Sequence, residues 1–229
     1  MKRLVAVFLL MGACGSDHSE LDIVGSSKSV YRSWYGKMEH NGSFRCGSTL
    51  IAPRWVMTAE HCLPGSASGL KIRLGAYRNG RNNGGKPFDL VPVKRMIAHP
   101  SRDLALLELS RRAKFKPKKI SEGRNIQPGD KLHAFGFGQT SFYGNSPGKL
   151  LAVVLEAVRG RGASHMIYTD ASEGKGVCYG DSGGPLLNPK DGSVVGAASW
   201  TGSRCASSGN GHDGFARVDM GWIRRHLRL

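Results

Sequence analysis

The chain is built from short apolar segments separated by turn-forming residues, and this pattern limits the folds that it can adopt. Ten such segments have the length of a β-strand, and Gly, Pro and Asn separate them. The 32 glycines favour many tight turns and few long helices. We therefore predict a strand-rich fold, either a barrel or a sandwich. The segments are Ser48–Ala52, Trp55–Ala59, Leu70–Leu74, Val91–Ala98, Leu104–Leu109, Lys131–Phe137, Leu150–Val158, Pro185–Leu187, Val194–Trp200 and Gly214–Val218.

The C-terminus is the exception to the strand pattern. Asp219 is a suitable N-cap, and Trp222, Ile223 and Leu227 follow it at helical spacing. The last turn is rich in arginine, which suits the negative end of a helix dipole. The sequence predicts one helix over residues 219–229.

Size and composition indicate a globular protein. The 229 residues are 40% hydrophobic and 22% charged, which excludes an intrinsically disordered chain. No apolar run reaches 18 residues, so we predict no spanning helix. The five cysteines form no CxxC pair, so the usual zinc and redox spacings are absent. We predict neither a metal site nor a cofactor.

The first 13 residues are typical of an export signal, because Lys2 and Arg3 precede the apolar run Leu4–Met11 and small residues follow. The next residue is Cys14, so the junction also resembles a bacterial lipoprotein signal, in which this cysteine is lipidated. The alternative is an ordinary secretory signal with an incidental cysteine. We predict an exported protein, either a lipoprotein of the cell envelope (periplasm or outer membrane) or a secreted protein, with membrane attachment only through the lipid.

The cysteine count agrees with lipidation. In an oxidising compartment an exposed free thiol is seldom left unused, and five cysteines leave one over after two pairs have formed. Residues 14–22 are polar and predict a tether between the signal and a domain over 23–229.

The chain is strongly basic, with 33 Lys and Arg against 17 Asp and Glu, a net charge of +16. The densest cationic run, Arg111–Lys119, lies midway along the chain, and we interpret it as the connector between two halves. Such a run is usually a solvated face. The alternative is contact with an anionic envelope surface such as lipid headgroups or polyanionic glycans. Nucleic acid is not a predicted partner, since no recognition motif or aromatic stacking series accompanies the charge.

Three motifs carry groups that could catalyse a reaction. Ser182 lies among glycines, which let backbone N–H groups approach a substrate closely. A serine hydroxyl is unreactive without a base, and His61 follows a strand-like segment. Asp103 begins an apolar strand, where a buried carboxylate needs a partner. Each residue alone is more often structural, but the three in this order, with the glycine frame, predict a hydrolytic site.

In these motifs the chain resembles the chymotrypsin-like (trypsin-fold) serine proteases, and they occur in family order through the whole predicted domain. The motifs are Ile23-Val24-Gly25, Cys46 to Ile51, Trp55 to Cys62, Asp103 to Leu109, Gly136-Phe137-Gly138, Gly180 to Leu186, Ser199-Trp200 and Phe215 to Val218. The resemblance implies an all-β fold of two six-stranded antiparallel β-barrels, roughly residues 23–115 and 120–218, with the active site between them and a C-terminal α-helix.

The resemblance also implies the chemistry, which is hydrolysis of a protein or peptide substrate through an acyl-enzyme. His61 would be the general base, Asp103 would orient it and Ser182 would be the nucleophile. The N–H groups of Gly180 and Ser182 would form the oxyanion hole. We expect a monomer.

Two disulfides are implied as well. Cys46–Cys62 would brace the segment that carries the histidine, and Cys178–Cys205 would brace the substrate pocket. Each would be worth roughly 2–4 kcal/mol.

Activation in this family follows cleavage before the residue that matches Ile23, whose freed amine pairs with the residue that matches Asp181 and orders the oxyanion hole. Asp22 precedes Ile23, where relatives usually carry Arg or Lys, so a trypsin-like activator has no site at that bond. Glu60 replaces the usual Ala beside the histidine, and we expect its carboxylate to be exposed.

The substrate pocket departs most from the family pattern. Gly176 stands where trypsin-like members carry Asp, and Thr201 stands where Gly is common and should narrow the entrance. Asp213 stands where relatives usually have Gly at the pocket floor. A carboxylate there predicts a broad preference for Lys or Arg before the scissile bond; the alternative is that Asp213 turns to solvent and the pocket takes apolar residues. The candidate pocket residues are Gly176, Val177, Ser199, Trp200, Thr201 and Asp213.

Two other functional classes share parts of this sequence pattern. Residues 180–184 also fit the GxSxG elbow of α/β-hydrolases, but that fold requires the order Ser, acid, His. Only 47 of the 229 residues follow Ser182, too few for the elements it would need. The other class is a catalytically silent binding protein with a protease fold, which would adhere to anionic surfaces.

Overall fold

The computed structural model describes residues 29–160, 162, 164–172, 174–202, 204–205 and 211–227. The predicted export signal, Cys14, the predicted tether and Ile23 lie outside these residues. The described residues form twelve strands and one α-helix. They are β1 Tyr35–His40, β2 Ser43–Ala52, β3 Trp55–Thr58, β4 Leu70–Leu74, β5 Asp89–Ala98, β6 Ala105–Leu109, β7 Lys131–Gly136, β8 Leu151–Val158, β9 Met166–Asp170, β10 Pro185–Asn188, β11 Ser193–Thr201, β12 His212–Arg217 and α1 Met220–Leu227.

The strands close into two antiparallel barrels. The first has the order β1-β2-β3-β6-β5-β4, and the second has the order β10-β11-β12-β9-β8-β7. Closure pairs every strand on both sides, which removes the exposed edges that an open sheet presents. The prediction of two six-stranded barrels and a C-terminal helix is confirmed.

Strand β4 illustrates why these residues form barrel walls. Leu70, Ile72 and Leu74 alternate with Lys71 and Arg73, and the three apolar side chains are buried in the first barrel. A period of two places alternate side chains on opposite faces of a strand, so one face fills the barrel and the other meets solvent.

A further apolar cluster joins the barrels to each other and to the helix. Tyr35 of β1 packs on Phe137 beyond β7, with ring centroids 5.9 Å apart. The helix adds Trp222 and Ile223 to this cluster. Asp219 caps the helix as predicted, since its Oδ1 accepts the N–H of Trp222 at 2.8 Å.

Two of the strands, β1 and β9, were not predicted from the sequence. Strand β1 contains Gly36 and three polar residues, so its two buried apolar side chains form no obvious run. Strand β9 has only five residues and glycines precede and follow it. Both strands are held by pairing on each side, β1 with β2 and β4, and β9 with β8 and β12. Tertiary pairing therefore decides their structure more than local pattern does.

The cationic run Arg111–Lys119 lies between the last strand of the first barrel and the first strand of the second. Its charges are partly paired, because Arg111 forms an ion pair with the buried Asp89 at 2.6 Å and Lys119 lies 3.8 Å from Asp191. Among the described residues, no helix is long and apolar enough to cross a bilayer.

Candidate active site

Strand pairing brings His61 and Asp103 together. His61 lies in a short 3-10 turn that directly follows β3, and Asp103 lies two residues before β6. Strands β3 and β6 are antiparallel neighbours, with Thr58 opposite Ala105. The end of one strand therefore meets the start of the other, although 42 residues separate the two side chains.

The Asp103 carboxylate holds the histidine at two points. Its Oδ1 accepts the backbone N–H of His61 at 3.0 Å, and its Oδ2 lies 2.8 Å from the ring Nδ1. This hydrogen bond raises the pKa of His61, against partial burial, which lowers it. Burial by itself would raise the pKa of Asp103, but hydrogen bonds from His61 and Ser199 outweigh it and the net shift is downward.

Ser199 connects this pair to the second barrel. It lies in β11, and its hydroxyl donates to Oδ2 of Asp103 at 2.6 Å. The carboxylate thus has three donors from two barrels, which fixes the relative position of the walls on either side of the site.

Ser182 lies in the loop that precedes β10. Its carbonyl accepts the N–H of Gly47 at 2.8 Å, which ties the loop to the first barrel. Ser182 and His61 line one pocket of about 340 Å³. Within the described residues no hydrogen bond joins the Ser182 hydroxyl to the His61 ring, and such contacts are often long before substrate binds.

The backbone beside Ser182 offers unpaired donors. The carbonyl of Tyr179 accepts the N–H of Gln139 at 2.9 Å. In a trans peptide the N–H points away from the carbonyl, so the N–H of Gly180 points away from Gln139, on the other side of this peptide. Gly180 has φ of +96°, a conformation that favours glycine. Neither this N–H nor that of Ser182 donates to an acceptor in the described part of the chain.

The buried side chain of Asp181 fixes this loop to the segments around Gly138 and Cys178. Its buried carboxylate accepts the N–H groups of Gly138 at 2.7 Å and Cys178 at 2.9 Å. Desolvation raises the pKa of Asp181 to about 7, against these two hydrogen bonds, and the Asp213 carboxylate adds to the rise. A Cβ on Gly136 or Gly138 would collide with the Asp181 carboxylate, which explains the Gly-Phe-Gly motif.

Both disulfides that the resemblance implied are present. Cys46–Cys62 joins β2 to the turn that carries His61, and Cys178–Cys205 lies beside the pocket. In the described part of the chain, His61 and the two sulfurs of the first disulfide lie within 4.8 Å of one another, which is close enough for three metal ligands. Sulfurs joined to each other are not thiolate ligands, so this grouping is no metal site.

The pocket contains most, but not all, of the residues predicted for it. Val177, Ser199, Trp200 and Thr201 line it, whereas Gly176 is buried and does not. Sequence reasoning missed Tyr179, which is 57% exposed at the rim; its place directly before the first glycine of the Ser182 motif was the available signal. The lining residues are His61, Val177, Cys178, Tyr179, Ser182, Ala198, Ser199, Trp200 and Thr201.

Asp213 lies directly behind the pocket wall. It is fully buried, its Oδ2 accepts the N–H of Val177 at 2.7 Å, and it pairs across the sheet with Thr201. Within the described residues Oδ1 has no hydrogen-bond partner. Desolvation raises the pKa of Asp213 to about 6, against the hydrogen bond from Val177 and weaker polar contacts with Thr201 and Gly202. The alternative in which Asp213 turns to solvent is therefore wrong.

Glu60, beside His61, is exposed, as expected from the sequence.

Comparison with known proteins gives a consistent result. The family model described as Trypsin matches residues 23–223. Trypsin 5G1 of Aedes aegypti is 33% identical over 72% of this chain and 68% of its own length. Human kallikrein-8 is 30% identical over 87% of this chain and 85% of its own. A solved structure of neuropsin, a serine protease expressed in the limbic system of mouse brain, is 25% identical, covers 85% of this chain and 94% of its own, and has a TM-score of 0.71.

The buried carboxylates make a prediction for stability in the chain whose Asp22–Ile23 bond is intact. The folded-state pKa values of Asp181 and Asp213 are raised, so between about pH 4 and pH 7 the folded chain holds protons that the unfolded chain releases. The free energy of unfolding should therefore fall as pH rises through this window. Asp181→Asn should make the fall shallower in urea unfolding at successive pH values.

Asp191→Asn is the matched control. The pKa of this surface carboxyl is lowered, chiefly by a hydrogen bond from Ser193, so its contribution changes only at lower pH. An Asp181→Asn variant with the same pH slope as the unmodified chain would contradict the assignment of a protonated, buried Asp181.

Proposed function

Since this chain belongs to the trypsin family of serine proteases, we propose that it is an active endopeptidase in which Ser182 is the nucleophile, His61 the general base and Asp103 its orienting group. The observation that carries the proposal is the Asp103 carboxylate, which accepts hydrogen bonds from His61 and Ser199 at once. The unpaired N–H groups of Gly180 and Ser182 support it further.

The geometry suits acyl transfer. Because the Asp103 carboxylate is bonded to Nδ1 of His61, Nε2 is left as the acceptor for the hydroxyl proton of Ser182. The raised pKa of His61 favours that proton transfer. The serine oxygen attacks the substrate carbonyl, and the Gly180 and Ser182 N–H groups stabilise the oxyanion. His61 then gives the proton to the leaving amine. Water, deprotonated by the same ring, releases the acyl group from Ser182.

Two rival functions make different predictions. A binding protein on the same fold would use its basic surface and need no activated serine, so a fluorophosphonate would not label Ser182. An esterase would be labelled but would turn over esters and not peptides. The Asp103 hydrogen bonds favour an enzyme, because a binding surface does not require a carboxylate held between two barrels.

We expect Ser182→Ala or His61→Ala to lower kcat/KM on a peptide substrate by at least about 10⁴-fold, since the three groups act as a unit. His40→Ala is the matched control, because His40 lies on β1, away from this site, and within the described residues its ring forms a hydrogen bond with the carbonyl of Ser68 alone. Thermal unfolding of each variant reports whether it is folded. Near-normal turnover by a folded Ser182→Ala variant would refute the proposal.

For the substrate we propose Lys or Arg before the scissile bond. Behind the pocket wall lies a buried carboxylate with one unpartnered oxygen, and burial of such a group is costly without a cation or further hydrogen bonds. A basic side chain in the pocket would supply the cation, acting on the carboxylate through the wall. Because Val177 and Thr201 stand between Asp213 and the open space, the selectivity should be broader than that of an enzyme with a carboxylate in the pocket itself.

A peptide library with Lys, Arg, Phe and Leu at this position tests the preference. We expect Lys and Arg to rank first, and Asp213→Ser to lower their kcat/KM by about 10- to 100-fold while sparing the apolar peptides. Asp191→Ser controls for loss of a carboxylate elsewhere. A library in which Phe or Leu ranks first, with no response to Asp213→Ser, would exclude the basic preference.

For location and activation we propose an exported enzyme tethered through a lipid on Cys14 and activated by cleavage before Ile23. The freed ammonium would pair with Asp181, whose carboxylate has two backbone donors and no cation among the described residues. Both described disulfides lie within the domain, so neither holds the cut tether. Cleavage then activates and releases the domain together, and only the basic surface would retain it on an anionic envelope.

Separation of lipid-anchored from soluble protein in high salt tests this coupling. We expect the anchored form, with the Asp22–Ile23 bond intact, to have low activity, and the soluble form to begin at Ile23 and have full activity. N-terminal sequencing and mass spectrometry of Cys14 identify the two forms. Equal specific activity in an anchored, uncleaved fraction would disprove it.

A further inference from the structure

The turn that carries Asp103 encloses a second histidine. His99 follows β5, only four residues before Asp103, and its backbone N–H donates to the carbonyl of Leu104 at 2.8 Å. Its ring Nδ1 accepts the backbone N–H groups of Ser101 and Arg102, both at 3.1 Å. The ring therefore closes the turn from inside, and the turn fixes where Asp103 emerges.

The other edge of the ring is bound to the C-terminal helix. Nε2 of His99 lies 3.3 Å from Oδ2 of Asp219, and the same oxygen lies 3.2 Å from a guanidinium nitrogen of Arg102. The other oxygen of Asp219 caps the helix at Trp222. The His99 ring packs on the Trp222 indole at 4.7 Å and only 5% of its side chain is exposed. The turn before β6 and the capped C-terminal helix thus meet at one imidazole.

These contacts define the protonation state of His99. Nδ1 receives two N–H donors, so it must present its lone pair, and the single ring proton is on Nε2, where it donates to Asp219. A second proton, on Nδ1, would face the Ser101 and Arg102 N–H groups and break both hydrogen bonds. Around the ring and its turn stand Asp219, Arg102, Arg225, His226, Glu122, Glu60, His61 and Asp103.

We propose that neutral His99 is a positioning residue for Asp103, and that protonation of His99 opens the turn and withdraws the Asp103 carboxylate from His61. The inference rests on the proposed peptidase function. It adds a second His–Asp pair, His99–Asp219, which acts on the first only through the backbone of the turn. His99 touches neither substrate nor reacting atoms.

The two histidines should titrate in separate ranges. The hydrogen bond to Asp103 raises the pKa of His61. Burial lowers the pKa of His99; the hydrogen bond to Asp219 acts against this shift, and the charges of Arg102 and Arg225 add to it. As pH falls, activity is lost first through His61 with a slope of one in log kcat/KM. Below the pKa of His99 the slope should steepen toward two.

Three variants separate positioning from general stability. His99→Phe keeps an aromatic ring on Trp222 but loses the acceptor at Nδ1, and we expect kcat to fall by about 10- to 100-fold with KM changed less than about threefold. His99→Asn supplies a side-chain oxygen that accepts the same two N–H groups but does not titrate. It should restore most of kcat and remove the steeper part of the acid limb. His133→Phe is the matched control, because His133 is another partly buried histidine, lies on β7 and forms no hydrogen bond through its ring within the described residues.

The decisive measurement is kcat/KM from pH 4.5 to 9 for all four proteins, with circular dichroism at each pH to confirm folding. A kcat for folded His99→Phe within threefold of the unmodified enzyme, or a His99→Asn acid limb that superimposes on the unmodified one, overturns the inference. If His99→Phe fails to fold, the His99→Asn profile alone decides. Fluorophosphonate labelling of the unmodified protein separates the two claims, because absence of labelling refutes the peptidase and labelling with unaltered His99 variants refutes only the positioning role.

Discussion

The site depends on a single carboxylate that is partly withdrawn from water between two barrels. Asp103 would be costly to desolvate alone, and three hydrogen bonds offset that cost, two from His61 and one from Ser199. The first two come from the barrel that carries Asp103 and the third from the other barrel. The interaction that stabilises the charge is therefore also the one that sets the geometry of His61 and aligns the two halves of the molecule.

The second barrel holds two further buried carboxylates, and these are not paired with cations in the described structure. Asp181 lies under the loop that carries Ser182 and Asp213 lies behind the pocket wall, and the charge of Asp213 raises the pKa of Asp181. The chain has a net charge of +16, yet no cation of the described residues forms an ion pair with either carboxylate. Our proposals assign each carboxylate an incoming cation, the amine of Ile23 for Asp181 and a substrate side chain for Asp213.

Local pattern and motif order predicted much of the fold and the centre of the site, because barrel strands alternate in burial and the motifs around His61, Asp103 and Ser182 are short and contiguous. What could not be predicted depends on pairing between distant segments. Strand β1 has no clear apolar run and forms through its two neighbours. Gly176 is buried and falls outside the pocket. Asp213 is also buried outside the pocket lining, held by the N–H of Val177 and opposite Thr201 of the neighbouring strand, and these contacts join segments that are distant in sequence. His99 gave no signal beyond its nearness to Asp103, since its partner Asp219 is 120 residues away.

If Asp103 fixes the tautomer and orientation of His61, nitrogen-15 NMR of the histidine rings will detect it. At a pH above the pKa of His61, we expect a proton on Nδ1, hydrogen-bonded to Asp103, and a bare Nε2 that can accept the proton of Ser182. Asp103→Asn should abolish this preference. A His61 ring that carries its proton on Nε2, or exchanges between both tautomers as a solvated histidine does, would show that Asp103 does not fix the ring.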